Sequence, residues 1–283
     1  MIAVIGDALM AFHLTKEGAY TPWVGGSSMN VAAKVGSLGS SCAFFGKISA
    51  DRFGSVVLEF CVNNHILFDP DLCNSPFGTT LCFPGENPSW YAQNTCSTLL
   101  TSEELLASFH NNSDIKIAYI GSESLALDGC SEAILDALSL YRPRPVIFLD
   151  MQVQPQLARD REHYRECLMR ASGMADIIKV DFNDLAFLYP GMEGIRAARR
   201  LGVEMQCHIL LGQNAWYSHD GFNVPVPASL QCDGAFVGAL LSYLHDNGCF
   251  GNDGELPQLK TLEAKTIEDA FAFARKGKDT YTC

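Results

Sequence analysis

What the sequence lacks narrows its chemistry first. Its eleven cysteines include no C-x-x-C pair, the close spacing that zinc sites generally show. Its seven histidines form no H-E-x-x-H or similar run. The cysteine count is odd, and several members sit inside apolar segments such as CAFFGKI and CHILLG. They read as reduced thiols used as small hydrophobes in a cytoplasmic chain. No apolar run approaches the roughly 18 residues of a membrane helix. The start, MIAVIGDALM, has no basic region and carries Asp7 inside its apolar stretch, which argues against a signal peptide. Basic residues are the minority, 20 Lys and Arg against 32 Asp and Glu, for a net charge of −12. That balance disfavours nucleic acid and anionic membranes as partners. There is no low-complexity linker, so the expectation is one domain over residues 1–283.

What is there is an alternation. Short apolar runs recur at 2–6 (IAVIG), 42–48 (CAFFGKI), 115–121 (IKIAYIG), 145–150 (PVIFLD), 176–180 (DIIKV) and 207–212 (CHILLG). Runs apolar throughout suit strands buried on both faces. Helical patterns fill most of the gaps. FGSVVLEFCVNNH puts Phe53, Val56, Val57, Phe60 and Cys61 on one stripe, and TSEELLASF opens with Thr101 and Glu104 at capping-box spacing. Strand and helix in turn predict an α/β fold with a mostly parallel central sheet. Residues 11–24 and 77–95 break the rhythm with short strand-like pieces and turn chemistry around Pro84 and Pro88. A small β-lid inserted over one edge of the core accounts for both.

Three places carry candidate chemistry. Gly25-Gly26 permits close backbone approach to a ligand, and Asn30, one helical turn on, offers an amide to hydroxyls. The same glycines also read as a turn capping the helix from Met29. In KVDFND, Asp181 and Asp184 are spaced to share one helical face, with Lys179 nearby, as a hydrated Mg²⁺ beside phosphates requires. Ordinary acids at a helix start give the same pattern. In QCDGAFVGALL (231–241), an apolar small-residue helix begins at a loop holding one acid, Asp233, and one glycine, Gly234. A helix start is a ready anion site.

These stretches resemble the ribokinase-like, or PfkB, carbohydrate kinases, fructokinases in particular. The resemblance rests on GGSSMNVAAKVGSLG (25–39), FFGKISADRFGSVVLEF (44–60), TTLCF (79–83), YIGSESL (119–125), FLDMQVQPQL (148–157), ADIIKVDFNDLAFL (175–188), ILLGQNAWY (209–217) and AFVGALL (235–241). It implies a three-layer core under a β-lid, with ATP and Mg²⁺ as cofactors. It also implies transfer of the γ-phosphate to a hydroxyl of a small-molecule sugar, a fructose-like hexose by preference. Carried over by position, Asp7, Gly25, Gly26 and Asn30 hold the sugar. Lys179, Gly212 and Gly234 face the nucleotide, Asp181 and Asp184 organise the metal, and Asp233, shifted by one residue, would be the catalytic base.

The ligand positions are also where the chain departs from the family. The pattern D-T-x-G-A-G-D before the last helix becomes Ala228-Ser229-Leu230-Gln231-Cys232-Asp233-Gly234. Both loop glycines are replaced, and the catalytic aspartate position is Gly234. A carboxylate at Asp233 would oppose a phosphate about 4 Å away by about 4 kcal/mol at an effective dielectric near 20. A one-residue shift, which glycine at the helix start permits, would instead put Asp233 where the base belongs. Ala11 stands for a sugar-gripping acid, Gln152 and Gln154 for Asn and Arg, and Ala215 for a nucleotide-contacting glycine. Two readings follow: a sugar kinase of altered efficiency, and a non-catalytic sugar- or nucleotide-binding relative. Lid strands pairing between protomers, with Trp23 and Phe83 as the apolar contact, would make a homodimer.

Overall fold

The apolar runs become strands buried on both faces, with the few polar residues inside those strands, Asp150, Lys179 and His208, buried as well. The computed structural model describes residues 1–85, 88–112, 114–212, 214–219, 221–228, 230–250 and 262–277. The strands are β1 (Ile2–Ile5), β2 (Leu9–Leu14), β3 (Tyr20–Gly25), β4 (Cys42–Phe45), β5 (Leu67–Phe68), β6 (Thr80–Phe83) and β7 (Ser89–Tyr91). They continue with β8 (Ile117–Gly121), β9 (Val146–Asp150), β10 (Ile177–Val180), β11 (His208–Leu211), β12 (Ala215–Tyr217) and β13 (Asn223–Pro225). The helices are α1 (Ser27–Ser37), α2 (Arg52–Asn63), α3 (Ser102–Asn111), α4 (Ser122–Leu125) and α5 (Cys130–Leu140). After them come α6 (Arg161–Met174), α7 (Phe182–Leu188), α8 (Gly194–Met205), α9 (Gly234–Asp246) and α10 (Ala264–Gly277).

One sheet runs in the order β13-β12-β11-β10-β9-β8-β1-β4-β5. It is parallel from β11 through β5 and antiparallel at β12 and β13. Alternation along β1 sorts the two cores. Ile2 and Val4 join Met29 and Val35 of α1 and Phe236 and Leu240 of α9 on one face. Ala3 and Ile5 join Leu105 of α3 and Ile134 of α5 on the other. Helices thus cover both faces of the sheet, giving three layers. The Thr101–Glu104 capping box expected from sequence forms at the start of α3.

The strand order reverses between β1 and β8. After β1 the chain reaches α1 on one face; after β8 it reaches α4 and α5 on the other. In open α/β sheets, the crevice beyond the strand C-terminal ends at such a reversal is where ligands bind. Gly6-Asp7 follows β1 there, and Glu123 follows β8.

A second sheet, β3-β2-β6-β7, rises from that same edge. β2 pairs antiparallel with β3 and parallel with β6, so residues 9–14 and 80–83 meet across about 70 residues of sequence. Phe12 stacks on Phe83 at 5.0 Å and meets Phe53 of α2 edge-on at 5.7 Å, which packs the small sheet against the core. Glu86 and Asn87 of the expected lid turn, Gln213, Ser229 and the tail after Gly277 lie outside the described residues. No described helix is long and apolar enough to cross a membrane.

Candidate functional site

The chain leaves β1 through Gly6 into Asp7, which is 4% exposed. Its N–H donates to Ser124 Oγ at 2.9 Å, and its Oδ1 accepts the Ser97 hydroxyl. Burial pushes this carboxyl up; hydroxyls of Ser97 and Thr80 and the Ala8 N–H pull against that. Gly26 comes back beside it at the end of β3. With φ at 98° and the Asp7 carbonyl oxygen 3.5 Å from where a Cβ would stand, Gly26 occupies a conformation that other residues rarely adopt. Gly25 pairs with Leu9 across the β2–β3 ladder. The structure therefore brings Asp7, Gly25 and Gly26 into one neighbourhood at the strand reversal.

Gly26 is the N-cap of α1, and no side chain of its own can cap that helix. Glu123 of α4 does so from outside. Its Oε2 accepts the Ser27 N–H at 3.0 Å and the Ser27 hydroxyl at 3.1 Å. Burial raises the Glu123 carboxyl, Ser27 lowers it, and Asp7 and Asp150 add repulsion. A carboxylate thus already sits at the positive end of this helix. Asn30 lies one turn on, exposed, its N–H bonded to the Gly26 carbonyl at 3.1 Å.

The second helix start meets the first. Gly234 is the first residue of α9, and Asp233 is its N-cap, with Oδ1 accepting the Phe236 N–H at 2.9 Å. A Cβ on Gly234 would lie 2.9 Å from the Asn30 Cβ. The QCDG loop therefore stands against the helix turn that carries the double glycine. The same carboxylate faces Lys34 of α1, a buried ammonium whose pKa is lowered by burial and partly restored by Asp233.

Along the sheet edge lies a third group. Asp150 ends β9 fully buried and accepts from Lys179 Nζ at 2.5 Å, from the Tyr119 hydroxyl at 3.0 Å and from Gln152 Nε2 at 3.2 Å. Burial acts to lower the Lys179 pKa, but Asp150, with Asp184 and Cys232 adding to it, makes the net shift upward. The Lys179 ammonium is thus committed to Asp150. Asp181 and Asp184 form a reciprocal cap on α7: Asp181 Oδ1 accepts from Asn183 and Asp184 N–H, and Asp184 Oδ2 accepts from Asp181 N–H. Asp184 Oδ1 takes the Val153 N–H at 2.9 Å. Burial drives the Asp184 carboxyl up to about 7 against those bonds. A Cβ on Gly212 would lie 3.8 Å from Asp181 Cβ and 3.9 Å from Cys232 Cβ, which joins this group to the QCDG loop.

This donor set fits a hydrated Mg²⁺. Asp181 is exposed and its cap uses only Oδ1, which leaves Oδ2 for an ion, and such ions keep most of their waters. Asp184 has both oxygens on backbone N–H groups and so fixes Asp181. A cavity of about 480 Å³ opens elsewhere, at the antiparallel edge, lined in part by Arg199, Val203, Tyr217 and His219. It shares no residue with these groups. Reading the sequence alone missed Ser27, Glu123 and Asp150. The signal for the last two was present: each is an acid at the end of an apolar strand run.

The pfkB family carbohydrate kinase model matches residues 1–203. "Probable fructokinase-6, chloroplastic" of Arabidopsis thaliana is 28% identical over 298 residues, spanning 96% of this chain and 75% of that protein. "Fructokinase-2" of Oryza sativa subsp. japonica is 27% identical, spanning 98% and 89%. Among solved structures, fructokinase from Xylella fastidiosa superposes with a TM-score of 0.78 at 20% identity, over 96% of this chain and 89% of that one. Fructokinase from Vibrio cholerae O395 with fructose, ADP and calcium bound gives 0.76 at 20%, over 96% and 89%. The fold is that of these kinases.

Proposed function

The chain belongs to the pfkB family of carbohydrate kinases, and from that premise we propose that it binds a fructose-like hexose and ATP and transfers the γ-phosphate slowly. The single observation behind the reading is the contact between the two helix starts. The sugar-side turn of α1 and the loop before α9 lie against each other through Asn30 and Gly234, so one ligand pair can reach both.

In this reading Asp7, Gly25, Gly26 and Asn30 hold the sugar, and the small sheet closes over it as the lid of a single domain spanning 1–283. Gly212 and Gly234 give the nucleotide phosphates close backbone approach, while Lys179 acts through Asp150. Asp181, held by Asp184, receives the hydrated Mg²⁺, which when bound neutralises phosphate charge. Asp233 takes the proton of the attacking hydroxyl. Phosphoryl transfer depends mostly on positioning and charge neutralisation, and here both are compromised. The Asp233 carboxylate already occupies an N–H at the α9 start, and its negative charge stands where phosphate would approach. A carboxylate so engaged is a poorer base than a free one, so transfer is slow; losing the positioned base altogether would cost about 10²–10⁴ in rate. The chain acts in the cytoplasm without nucleic acid or membrane, and Trp23, half-exposed on β3, offers a homodimer contact through the lid.

A second reading, a non-catalytic sugar binder, draws support from Glu123, whose carboxylate holds the Ser27 N–H at the start of α1. One assay separates the two. Purified protein is incubated with ATP, Mg²⁺ and a panel of hexoses, and sugar phosphate is detected by mass. Product from fructose supports transfer. Thermal stabilisation by fructose without product supports the binder, and neither result removes both.

A further inference from the structure

On the face of the molecule carrying α5 and α6, Glu132, His163 and Cys167 converge. Their donor atoms, Oε1, Nε2 and Sγ, all lie within 4.8 Å of one another, the one such group of three or more His, Cys, Asp or Glu among the described residues. Nε2 is 2.7 Å from Glu132 Oε1 and 3.6 Å from Cys167 Sγ. We propose that this trio binds a divalent cation of the zinc class, clipping α5 to α6.

Local structure places each ligand. Asp160 caps α6 by accepting the Glu162 and His163 N–H groups, which fixes the first turn carrying His163. Cys167 follows at i+4, on the same helical face. Glu132 sits in the first turn of α5, and its other oxygen accepts the Gly129 N–H at 3.1 Å and the Ser131 hydroxyl at 2.7 Å. That outer bonding holds Oε1 toward the histidine, as supporting hydrogen bonds do in established metal sites. Glu132 and His163 are each 43% exposed at the side chain, while Cys167 is buried. An ion can therefore enter from solvent and keep a water in the fourth position.

The spacing suits the ion. Tetrahedral bonds of about 2.0–2.3 Å put ligand atoms about 3.3–3.7 Å apart. The sulfur–nitrogen separation already lies there, and the oxygen–nitrogen pair opens by roughly 0.6 Å as its hydrogen bond gives way to two metal bonds. An imidazole, a thiolate and a carboxylate together select zinc-like ions over Mg²⁺ or Ca²⁺. The balance is simple. The incoming ion forms a metal–sulfur bond, the Cys167 S–H bond breaks, and its proton goes to solvent. Burial, with Glu132 and Glu166 adding to it, holds that thiol protonated beforehand, against the Ser131 bond and the charge of Arg170.

Co²⁺ added to the metal-free 283-residue chain is the probe, with neither sugar nor ATP present, so the result is independent of the kinase reading. The expected result is one equivalent bound with a thiolate-to-cobalt charge-transfer band. Zn²⁺ should displace it, with proton release and a rise in unfolding temperature. Cys167→Ser and His163→Asn should each abolish the band, with far-ultraviolet circular dichroism unchanged. Peptide mapping after alkylation should find Cys167 protected by Zn²⁺. No band in the parent, or a band that survives both substitutions, overturns the proposal. If either variant fails to fold, protection of Cys167 in the parent stands as the test: alkylation at the same rate with and without Zn²⁺ overturns it.

Discussion

Gly234 packs against Asn30 so closely that a Cβ on the glycine would stand 2.9 Å from the Asn30 Cβ. One turn later Gly238 is tighter still, with a Cβ there 2.7 Å from Lys34 Cβ and 2.8 Å from the Val31 carbonyl oxygen. The two glycines let α9 settle onto α1. Real Cβ contacts do not come this close, so substitution must move something. At Gly234 the one close obstacle is the Asn30 Cβ; at Gly238 the Lys34 Cβ and the Val31 carbonyl oxygen of the backbone both stand in the way. Gly238→Ala should therefore destabilise more than Gly234→Ala. Overpacking of this kind costs about 1–3 kcal/mol, and urea unfolding of the two variants would show the order. Equal midpoints would mean the helices part freely.

The Asp233 cap makes stability and activity separable. Asn caps a helix about as well as Asp, whereas Ala costs about 1 kcal/mol. Asp233→Ala should therefore be less stable than Asp233→Asn. Turnover should fall in both if Asp233 takes the hydroxyl proton. The double variant Asp233→Gly with Gly234→Asp removes the carboxylate from the anion position and restores an acid in the family register. Its turnover should exceed the parent's despite the crowding at Asn30, as read by phosphorylated sugar per minute. A parent rate that Asp233→Asn leaves untouched removes Asp233 from the chemistry.

Asp184 gives a pH signature in chelator-treated protein. Its folded pKa of about 7 lies well above the ordinary carboxylate range. The native state then binds more protons than the unfolded state between these values. Its contribution to stability is whole below about pH 4 and disappears as pH rises through about 7. Across that window this one group lowers stability by up to about 1.4 kcal/mol per pH unit. Asp184→Asn should flatten that slope in urea titrations at pH 4.5 through 7.5. It should also lose some stability at every pH, because an amide cannot accept from both the Val153 and Asp181 N–H groups.

Much of this was legible because it depends on short-range pattern. Six apolar runs became strands of the main sheet, and Thr101 with Glu104 formed the expected cap. β12 and β13 were not foreseen, being three residues each. Their burial depends on Trp216 packing beside β11, a relation that no local period announces. The site divided in the same way. Glycines and acids at strand ends could be picked out, but what each acid touches could not. The partners are 29 residues away for Lys179 and Asp150 and 96 for Ser27 and Glu123. The Glu132–His163–Cys167 trio joins two helices, and only its H-x-x-x-C half is visible in sequence.

The Lys179–Asp150 pair is the sharpest check on how the strand ends are held. The lysine side chain is 8% exposed and the aspartate fully buried. Removing one partner of such a pair leaves an uncompensated buried charge and costs about 3–5 kcal/mol, whereas removing both charges together costs much less. Lys179→Met should therefore lower stability severely, and adding Asp150→Asn should recover most of the loss. Asp150→Asn keeps acceptor and donor capacity toward Tyr119 and Gln152. If Lys179 instead acts chiefly on nucleotide, Lys179→Met will keep its unfolding midpoint and raise the ATP KM. That pattern would place the ammonium on phosphate and displace the Asp150 pairing from the account of this site.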